Sequence, residues 1–582
     1  MGWRFFYLSL KGEISLTNVK AGSDLFIEAL LEENVQTVFG YPGGSVLPIY
    51  DAMYKYDTTF KHILCRHEQG CIHAAEGYAR VTGKAGVVIA TSGPGATNII
   101  TGLADAMMDS LPIVAFTGQV GTPVIGSDAF QEADIISVTS PITKHNFQVR
   151  DAREMKPIIQ AAFKIATTGR PGPVVVDIPK NVQEQIVDET LNTPLLFPGF
   201  QPNKNYSNKN LKKIINSLHK SKRPVLLVGA GIQVSEASKH LREFVNKTNI
   251  PVVSTIHGLG SIESDYKNFL GMAGMHGTYT ANMAIRECDF LLNIGSRFDD
   301  RLTGKPDEFA PNAVIAHIDI DESELGKNIE TDIPVNQDAN EFLKTLIKEN
   351  LKETDTKWLK KLSRRKESYP LWYNTGEHLI SPQWLIEEIS KFTNGEALVT
   401  TDVGQHQMWT AQFYQFNQPR QIITSGGLGT MGFGLPSSIG VQIAKPNQTV
   451  VSINGDGGFQ MCIQELATIR EYNLPIKIFI VNNEALGMVR QWQEEFYDER
   501  YSHSLMMNNP DFITLAEGFG IKALRVSEED KVQEVMEAAF SHNGPVVIDA
   551  RVQKLDLVYP MVPAGKGNHE MIGVKPCDIS YS

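Results

Sequence analysis

The chain has no paired-cysteine motif, no basic cluster and no apolar run long enough to cross a membrane. Its five cysteines, Cys65, Cys71, Cys288, Cys462 and Cys577, are scattered without CxxC or zinc-type spacing. That pattern fits free thiols in a reducing compartment better than disulfides or a metal centre. A net charge of −12 with no basic patch argues against nucleic acid and anionic membranes as partners. The opening MGWRFFYLSLKGEISL has a short aromatic run but neither a long apolar core nor a small-residue cleavage site, so it makes a poor signal peptide. No membrane-length helix and no short repeat follow it. These absences point to a cytoplasmic globular protein. At 582 residues, 42% hydrophobic and 21% charged, it is too long for one core and should divide into about three to four domains.

What the chain does contain is strands alternating with helical patterns. Thr37-Val38-Phe39, Val87 to Ala90, Ile113 to Phe116 and Val174 to Ile178 are apolar runs separated by helices and by Gly/Pro turns. That rhythm predicts a doubly wound parallel sheet over 17–184. A Pro-, Asn- and Gln-rich stretch at 185–208 reads as a linker. A second α/β unit, 209–350, opens on Pro224 to Gly231, where Gly229 and Gly231 begin a GxGxxG whose third glycine is replaced by Val234. Charged, helical 351–380 reads as a second connector. A third α/β unit follows at 381–555, and the Pro- and Gly-rich 556–582 as an extended arm. The expected fold is α/β with three doubly wound parallel sheets.

The most informative stretch runs from Val450 to Asn483. A β-branched strand (Val450 to Ile453) leads into Gly455-Asp456-Gly457-Gly458, helical spacing runs from Phe459 to Tyr472, and a second strand spans Ile476 to Val481. In a βαβ unit both strands end on the same sheet edge. Asp456 and Asn482-Asn483 therefore converge as hard oxygen ligands, suited to Mg²⁺ and a phosphate group. A bare Gly-Asp-Gly is also what an ordinary helix-capping turn looks like, and the paired asparagines tip the balance.

This Gly-Asp-Gly closing on Asn-Asn resembles the thiamin diphosphate signature of the pyruvate-decarboxylase-like enzymes. The resemblance implies that Asp456, Asn483 and the carbonyl of Ala485 hold a Mg²⁺ ion, with Gly455, Gly457 and Gly458 close to the diphosphate. RHEQGCIHAAEGYAR (66–80) resembles the family's activating-glutamate segment. Thiamin chemistry needs a carboxyl hydrogen-bonded to the far nitrogen of the aminopyrimidine in an apolar pocket, and Glu68 is the match. Within Gly426 to Pro436, Met431 is the bulky residue expected to bend the cofactor, and Gln405-His406 would hydrogen-bond the diphosphate.

Tyr41 to Ala52, Thr91 to Asn98, Phe116 to Val120, Asp128 to Ile135, Gly295 to Arg301 and Met488 to Gln493 together resemble the acetohydroxyacid synthase (acetolactate synthase) family, catalytic subunits, over nearly the whole chain. That family also binds FAD. Its flavin segments are matched by Arg170, Met275-His276-Gly277, Gly295-Ser296-Arg297, Asp299, Arg301, Asp319-Ile320 and Gln337-Asp338-Ala339. Asn98 and Met488 join the thiamin site. Trp492 would read the second substrate, with Phe130, Gln131 and Lys180 lining the entrance.

The implied reaction decarboxylates pyruvate and adds the hydroxyethyl unit to pyruvate or 2-oxobutyrate. The products are 2-acetolactate or 2-aceto-2-hydroxybutyrate, precursors of valine, leucine and isoleucine. The resemblance further implies a homodimer or tetramer with sites between subunits, and a small regulatory subunit. Residues before about Thr17 match nothing in the family. The rival readings are an FAD-dependent pyruvate oxidase, a glyoxylate carboligase (which lacks the activating glutamate) and a non-catalytic assembly homologue.

Overall fold

A computed structural model describes residues 19–55, 61–188, 208–375 and 379–577. The segment before residue 19, most of the expected first linker (189–207), residues 376–378 of the second connector and 578–582 of the arm lie outside the described residues.

Three six-stranded sheets carry the fold, and their neighbouring strands are parallel. The apolar runs at Gly86–Ala90, Pro224–Val228 and Lys477–Asn482 are buried along their whole length, as strands covered by helices on both faces must be. In the N-terminal sheet the strands lie in the order Lys61–Leu64, Thr37–Gly40, Gly86–Ala90, Ile113–Gln119, Val174–Pro179, His145–Gln148. In the C-terminal sheet the order is Ile422–Ile423, Leu398–Thr401, Val450–Gly455, Lys477–Asn482, Val546–Arg551, Lys522–Val526. Numbered along the chain, both run 2-1-3-4-6-5, so the two share one topology. The central sheet runs 3-2-1-4-5-6, the strand order of dinucleotide-binding units.

Each order reverses beside its first strand, which opens a crevice at the carboxyl ends of two neighbouring strands. In the C-terminal sheet these strands are Leu398–Thr401 and Val450–Gly455, in the central sheet Pro224–Val228 and Phe290–Ile294, and in the N-terminal sheet Thr37–Gly40 and Gly86–Ala90. A short antiparallel ribbon, Val19–Ala21 with Ile186–Asp188, ties together the two ends of the N-terminal unit.

The N- and C-terminal units share one apolar core. It is built where the Glu68–Thr82 helix crosses the Gly434–Ala444 helix. A Cβ on Gly77 would lie 2.1 Å from the Ser437 carbonyl oxygen, and one on Gly440 1.7 Å from that of Ala74. Only glycine allows this approach. The first helix starts with His67 Nδ1 accepting the Gln69 N–H at 3.1 Å and stops at Gly83, whose φ is +71°.

Two elements differ from expectation. The helix expected over 459–472 is broken into Asp456–Met461 and Glu465–Glu471. The second connector is not a free spacer, because its Thr356–Ser368 helix buries Trp358 and donates its indole N–H to the Pro224 carbonyl at 3.1 Å. Among the described residues no helix is long and apolar enough to cross a membrane.

Candidate active site

The C-terminal crevice is lined by the two turns that leave its flanking strands: Val403 to His406, and Gly455 to Gly458. Asp456 opens the short helix after the second strand, and its side chain is buried. Its Oδ2 accepts from Asn509 Nδ2 at 2.6 Å, while Oδ1 is buried with no protein partner. Burial pushes its carboxyl up to about 6. A buried carboxylate oxygen without a hydrogen bond is costly unless something else pairs it, and a cation would do so.

Asn482 turns its amide N–H to Asp549 Oδ1 at 2.8 Å, whereas Asn483 faces the crevice and donates to Gln405 Oε1 at 3.1 Å. The oxygen of Asn483 is therefore the atom left to ligate, and Ala485 lines the same crevice. Gly487 has to be glycine, since a Cβ there would lie 2.1 Å from Gln405 Oε1 and 2.8 Å from Asn483 Nδ2. These donors and this close backbone fit Mg²⁺ and a diphosphate.

Gln405 and His406 do different things. The Gln405 amide donates to Gln491 Oε1 at 3.0 Å and to the Asp556 carbonyl at 2.9 Å, so its side chain orients Asn483 and ties the arm. His406 is buried with Nε2 unpartnered, and burial drives its imidazole down to about 3, which leaves it neutral. It is the side chain free to bond a diphosphate oxygen. Gly455 packs beneath it, where a Cβ would come within 2.8 Å of His406 Nδ1.

Met431 is positioned by Asp402, which carried no sequence signal. The buried Asp402 carboxylate accepts from Val403 N at 2.7 Å, Gly432 N at 2.9 Å and Gly434 N at 3.1 Å. Burial pushes this carboxyl up and the three N–H groups pull it back. The turn around Met431 is thereby fixed at the crevice mouth.

Val403, Gly404, Met431, Met488 and Val489 also line a second cavity of about 620 Å³, so the two share a wall. This cavity runs along the central sheet's crevice. Around it lie Arg170, Gly231, Met275, His276, Gly295, Ser296, Arg297, Asp299, Arg301, Asp319, Ile320 and Trp492. Gln337, Asp338 and Ala339 line an adjoining space that shares Gly231, Gly295, Asp319 and Ile320.

Ser296 Oγ, His276 Nδ1 and Gln337 Oε1 are buried without protein partners, and burial lowers His276 to about 4. A space of this size, with Gly231 and Gly295 on its wall and orphaned polar atoms, fits a dinucleotide such as FAD. Several matched residues serve the fold as well. Arg170 bonds Ser110 Oγ and Glu324, both at 2.8 Å, and Asp299 and Asp338 cap helices. Gly229 and Gly277 lie off the cavity lining. Their missing Cβ atoms spare protein backbone, 2.3 Å from Gly295 O and 2.6 Å from Met272 O.

Glu68 is placed elsewhere. It begins its helix at the N-terminal sheet edge, where Oε2 accepts from Asn98 Nδ2 at 2.9 Å and a Cβ on Gly95 would lie 3.2 Å from Oε1. Phe130 is 88% exposed, Gln131 holds a φ of +60° against Gly93, and Lys180 opens a short helix after Val174–Pro179. Among the described residues lining the two cavities, Glu68, Asn98, Phe130, Gln131 and Lys180 are absent. Glu68 and Asp456 thus lie on separate parts of the chain, not in one shared cavity.

Family models for thiamine pyrophosphate enzymes match all three units. They are the N-terminal TPP binding domain over 20–138, the central domain over 211–346 and the C-terminal TPP binding domain over 402–550. The acetolactate synthase large subunit of Lactococcus lactis is 47% identical over 97% of this chain and 98% of its own length. The acetolactate synthase isozyme 2 large subunit of Escherichia coli is 45% identical over 95% of this chain and 99% of its own length. The large subunit of the red alga Porphyra purpurea is 46% identical, covering 95% of this chain and 96% of its own. The chain belongs to the acetolactate synthase large-subunit family. The match to the C-terminal TPP binding domain, 402–550, covers the Asp456–Asn483 crevice.

Replacing Asp456 with Ala removes the only charged donor of that set. Mg²⁺-dependent thiamin diphosphate binding should then be lost, with the thermal unfolding profile of the cofactor-free protein retained. A fluorescence titration giving unchanged cofactor affinity places the metal elsewhere.

Proposed function

We propose that this chain is the catalytic subunit of an acetolactate synthase of branched-chain amino acid biosynthesis. It condenses two pyruvates to 2-acetolactate, or pyruvate and 2-oxobutyrate to 2-aceto-2-hydroxybutyrate, with release of CO₂. The observation that carries the reading is the C-terminal crevice, where the unpartnered Asp456 Oδ1 stands beside Asn483 at a strand-order reversal. We assign the pyrimidine-binding, flavin-associated and diphosphate-binding domains to 17–184, 209–350 and 381–555.

Bound thiamin diphosphate supplies an electron sink for the charge left when pyruvate loses its carboxylate. The residues of the chain do the rest. Asp456, Asn483 and the Ala485 carbonyl would hold Mg²⁺, and His406 Nε2 would bond the diphosphate. Met431, on the turn held by Asp402, would offer the bulky apolar side chain that a bent cofactor needs. Glu68, whose Oε2 accepts from Asn98, would hold the proton at its carboxyl for the aminopyrimidine. FAD would lie along the central crevice, where Ser296, His276 and Gln337 have polar atoms to offer.

Because Glu68 lies in a different half-site from Asp456, we assign each complete site to two chains of a homodimer or a tetramer. The first unit of one chain would then face the third unit of its partner across a two-fold axis. Exposed apolar side chains on both faces support this, Leu47 and Phe130 on one and Met461, Tyr497 and Met507 on the other. In that arrangement Phe130, Gln131 and Lys180 would close the entrance over the partner's crevice, Lys180 attracting the carboxylates of 2-ketoacids. A small regulatory subunit is a further expected partner.

Trp492 lies on the Gly487–Phe496 helix at the cavity mouth, with the Arg301 guanidinium 6.0 Å from its ring. It is 37% exposed, so a face of the indole is open to a substrate. An apolar wall discriminates one methylene by roughly 1–3 kcal/mol, the scale needed to favour 2-oxobutyrate over pyruvate.

Given pyruvate, the purified protein with thiamin diphosphate, Mg²⁺ and FAD should form acetolactate at the same rate with and without oxygen, its flavin staying oxidised. Oxygen uptake matching pyruvate consumption would instead identify a pyruvate oxidase. Trp492→Leu should leave acetolactate formation largely intact and lower the preference for 2-oxobutyrate by about tenfold. A competition assay with both ketoacids and an unchanged product ratio removes Trp492 from that role.

A further inference from the structure

The broken helix of the C-terminal unit leaves one buried acid that no step above uses. Glu465 opens the second half, Glu465–Glu471, nine positions after Asp456, yet its side chain reaches out of its own unit into the N-terminal one. There it accepts from Arg66 N at 2.9 Å (Oε1) and 3.2 Å (Oε2), and from His67 N at 3.1 Å. Thr468 Oγ1 donates to its Oε2 at 2.8 Å, and its exposed surface is nil. Arg66 and His67 immediately precede Glu68.

The surroundings leave Glu465 little alternative. A Cβ on Gly70 would lie 2.3 Å from Glu465 Oε1, so the first turn of the Glu68 helix is shaped around this carboxylate. The same helix face holds the strand before the turn. Tyr472 OH accepts from Leu64 N at 3.0 Å, and Glu471 pairs with the Arg66 guanidinium. Burial pushes the Glu465 carboxyl up to about 7 against the pull of the Thr468 hydroxyl and the Arg66 and His67 N–H groups, and these three donors hold it in place. A catalytic acid that must meet a ring nitrogen loses much of its effect for about an ångström of misplacement.

We infer that Glu465 is a positioning residue for Glu68 of its own chain, so that a residue of the diphosphate-binding unit serves the other active site of the dimer. The inference rests on the two-chain site proposed above. It reverses what sequence position suggests. Glu465 sits in the segment that builds the Asp456 crevice, but its effect falls on the site that its own chain's Glu68 enters. The helix that follows the metal turn of one site is thereby the support of the acid in the other.

Mixed dimers separate these alternatives. Glu465→Ala alone should lower hydrogen–deuterium exchange at cofactor C2 about a hundredfold, the low end of general acid–base contributions, with cofactor and Mg²⁺ affinity unchanged. In dimers of a Glu465→Ala chain with an Asp456→Ala chain, both lesions fall in one site. Activity should therefore recover towards half that of the wild type. Paired with a Glu68→Gln chain, Glu465→Ala should show no recovery, because each site then carries one lesion. The opposite pattern, or equal recovery in both pairings, overturns the assignment.

Dimers of Glu68→Gln with Asp456→Ala are the control, since their failure to recover means that each site is built within one chain. A readout independent of cofactor then still decides the role of Glu465. In the cofactor-free protein, amide exchange at Arg66 and His67 should be at least tenfold faster in Glu465→Ala than in wild type, and an unchanged rate overturns the proposal. Should the alanine variant not fold, Glu465→Asp, too short to reach both N–H groups, replaces it in every arm.

Discussion

The backbone contact at Gly77 and Gly440 is the constraint on which the rest of the structure depends. Two helices from units far apart in sequence touch with no side chain between them, because neither position has room for a Cβ. Such close packing leaves little freedom of rotation or slip. It fixes the Glu68 turn of the N-terminal unit against the C-terminal unit of the same chain. It also directs Glu68 to its place beside Asn98 and Gly95 rather than into the chain's own crevice.

Around that crossing, buried carboxylates do work that apolar packing cannot. Asp109, from the N-terminal unit, accepts from Gly427 N at 2.8 Å on Oδ1, while its Oδ2 accepts from Gly426 N at 3.0 Å and pairs with Arg80 and His257. Burial would push this carboxyl up, but His257, Arg80 and the Gly426 N–H outweigh it and hold it well below the ordinary carboxylate range. Asp105, next to it, is pushed up to about 8 by burial and then by Glu76 and Asp109, and it accepts the Ser425 hydroxyl at 2.5 Å. With Asp402 on the opposite side, these acids hold both ends of the turn that presents Met431. Removing one partner of such a network leaves a buried charge uncompensated, which is far costlier than losing a surface pair.

Elements with strong period or strong turn chemistry were legible in the sequence. The β-branched runs at Val87, Val174, Val225 and Ile478 are interior strands, and the glycine turns that follow Val87 and Val225 lie at the strand-order reversals. Edge strands were not: His145–Gln148, Phe269–Met272 and Ile333–Asn336 are short and mixed in character, because one edge faces no partner strand. The helix break at Cys462 was invisible because apolar spacing continues across it. Motifs pointed to Asp456, Asn483 and Glu68, the residues that would touch ligands. Asp402, Glu465 and Asn509 act on backbone or on another side chain, from distant segments, so no local pattern marks them. Gln405 and His406 are adjacent in sequence, but only the fold shows that one is engaged and the other has a free ring nitrogen.

In the proposed assembly one chain carries two half-sites, and a complete site needs two chains. A structure of the assembled protein with thiamin diphosphate and Mg²⁺ bound tests it directly. The metal should lie on Asp456 and Asn483 of one chain, with Glu68 of the other chain at the aminopyrimidine ring. Glu68 of the same chain reaching that ring, or a diphosphate bound away from Asp456, would contradict it.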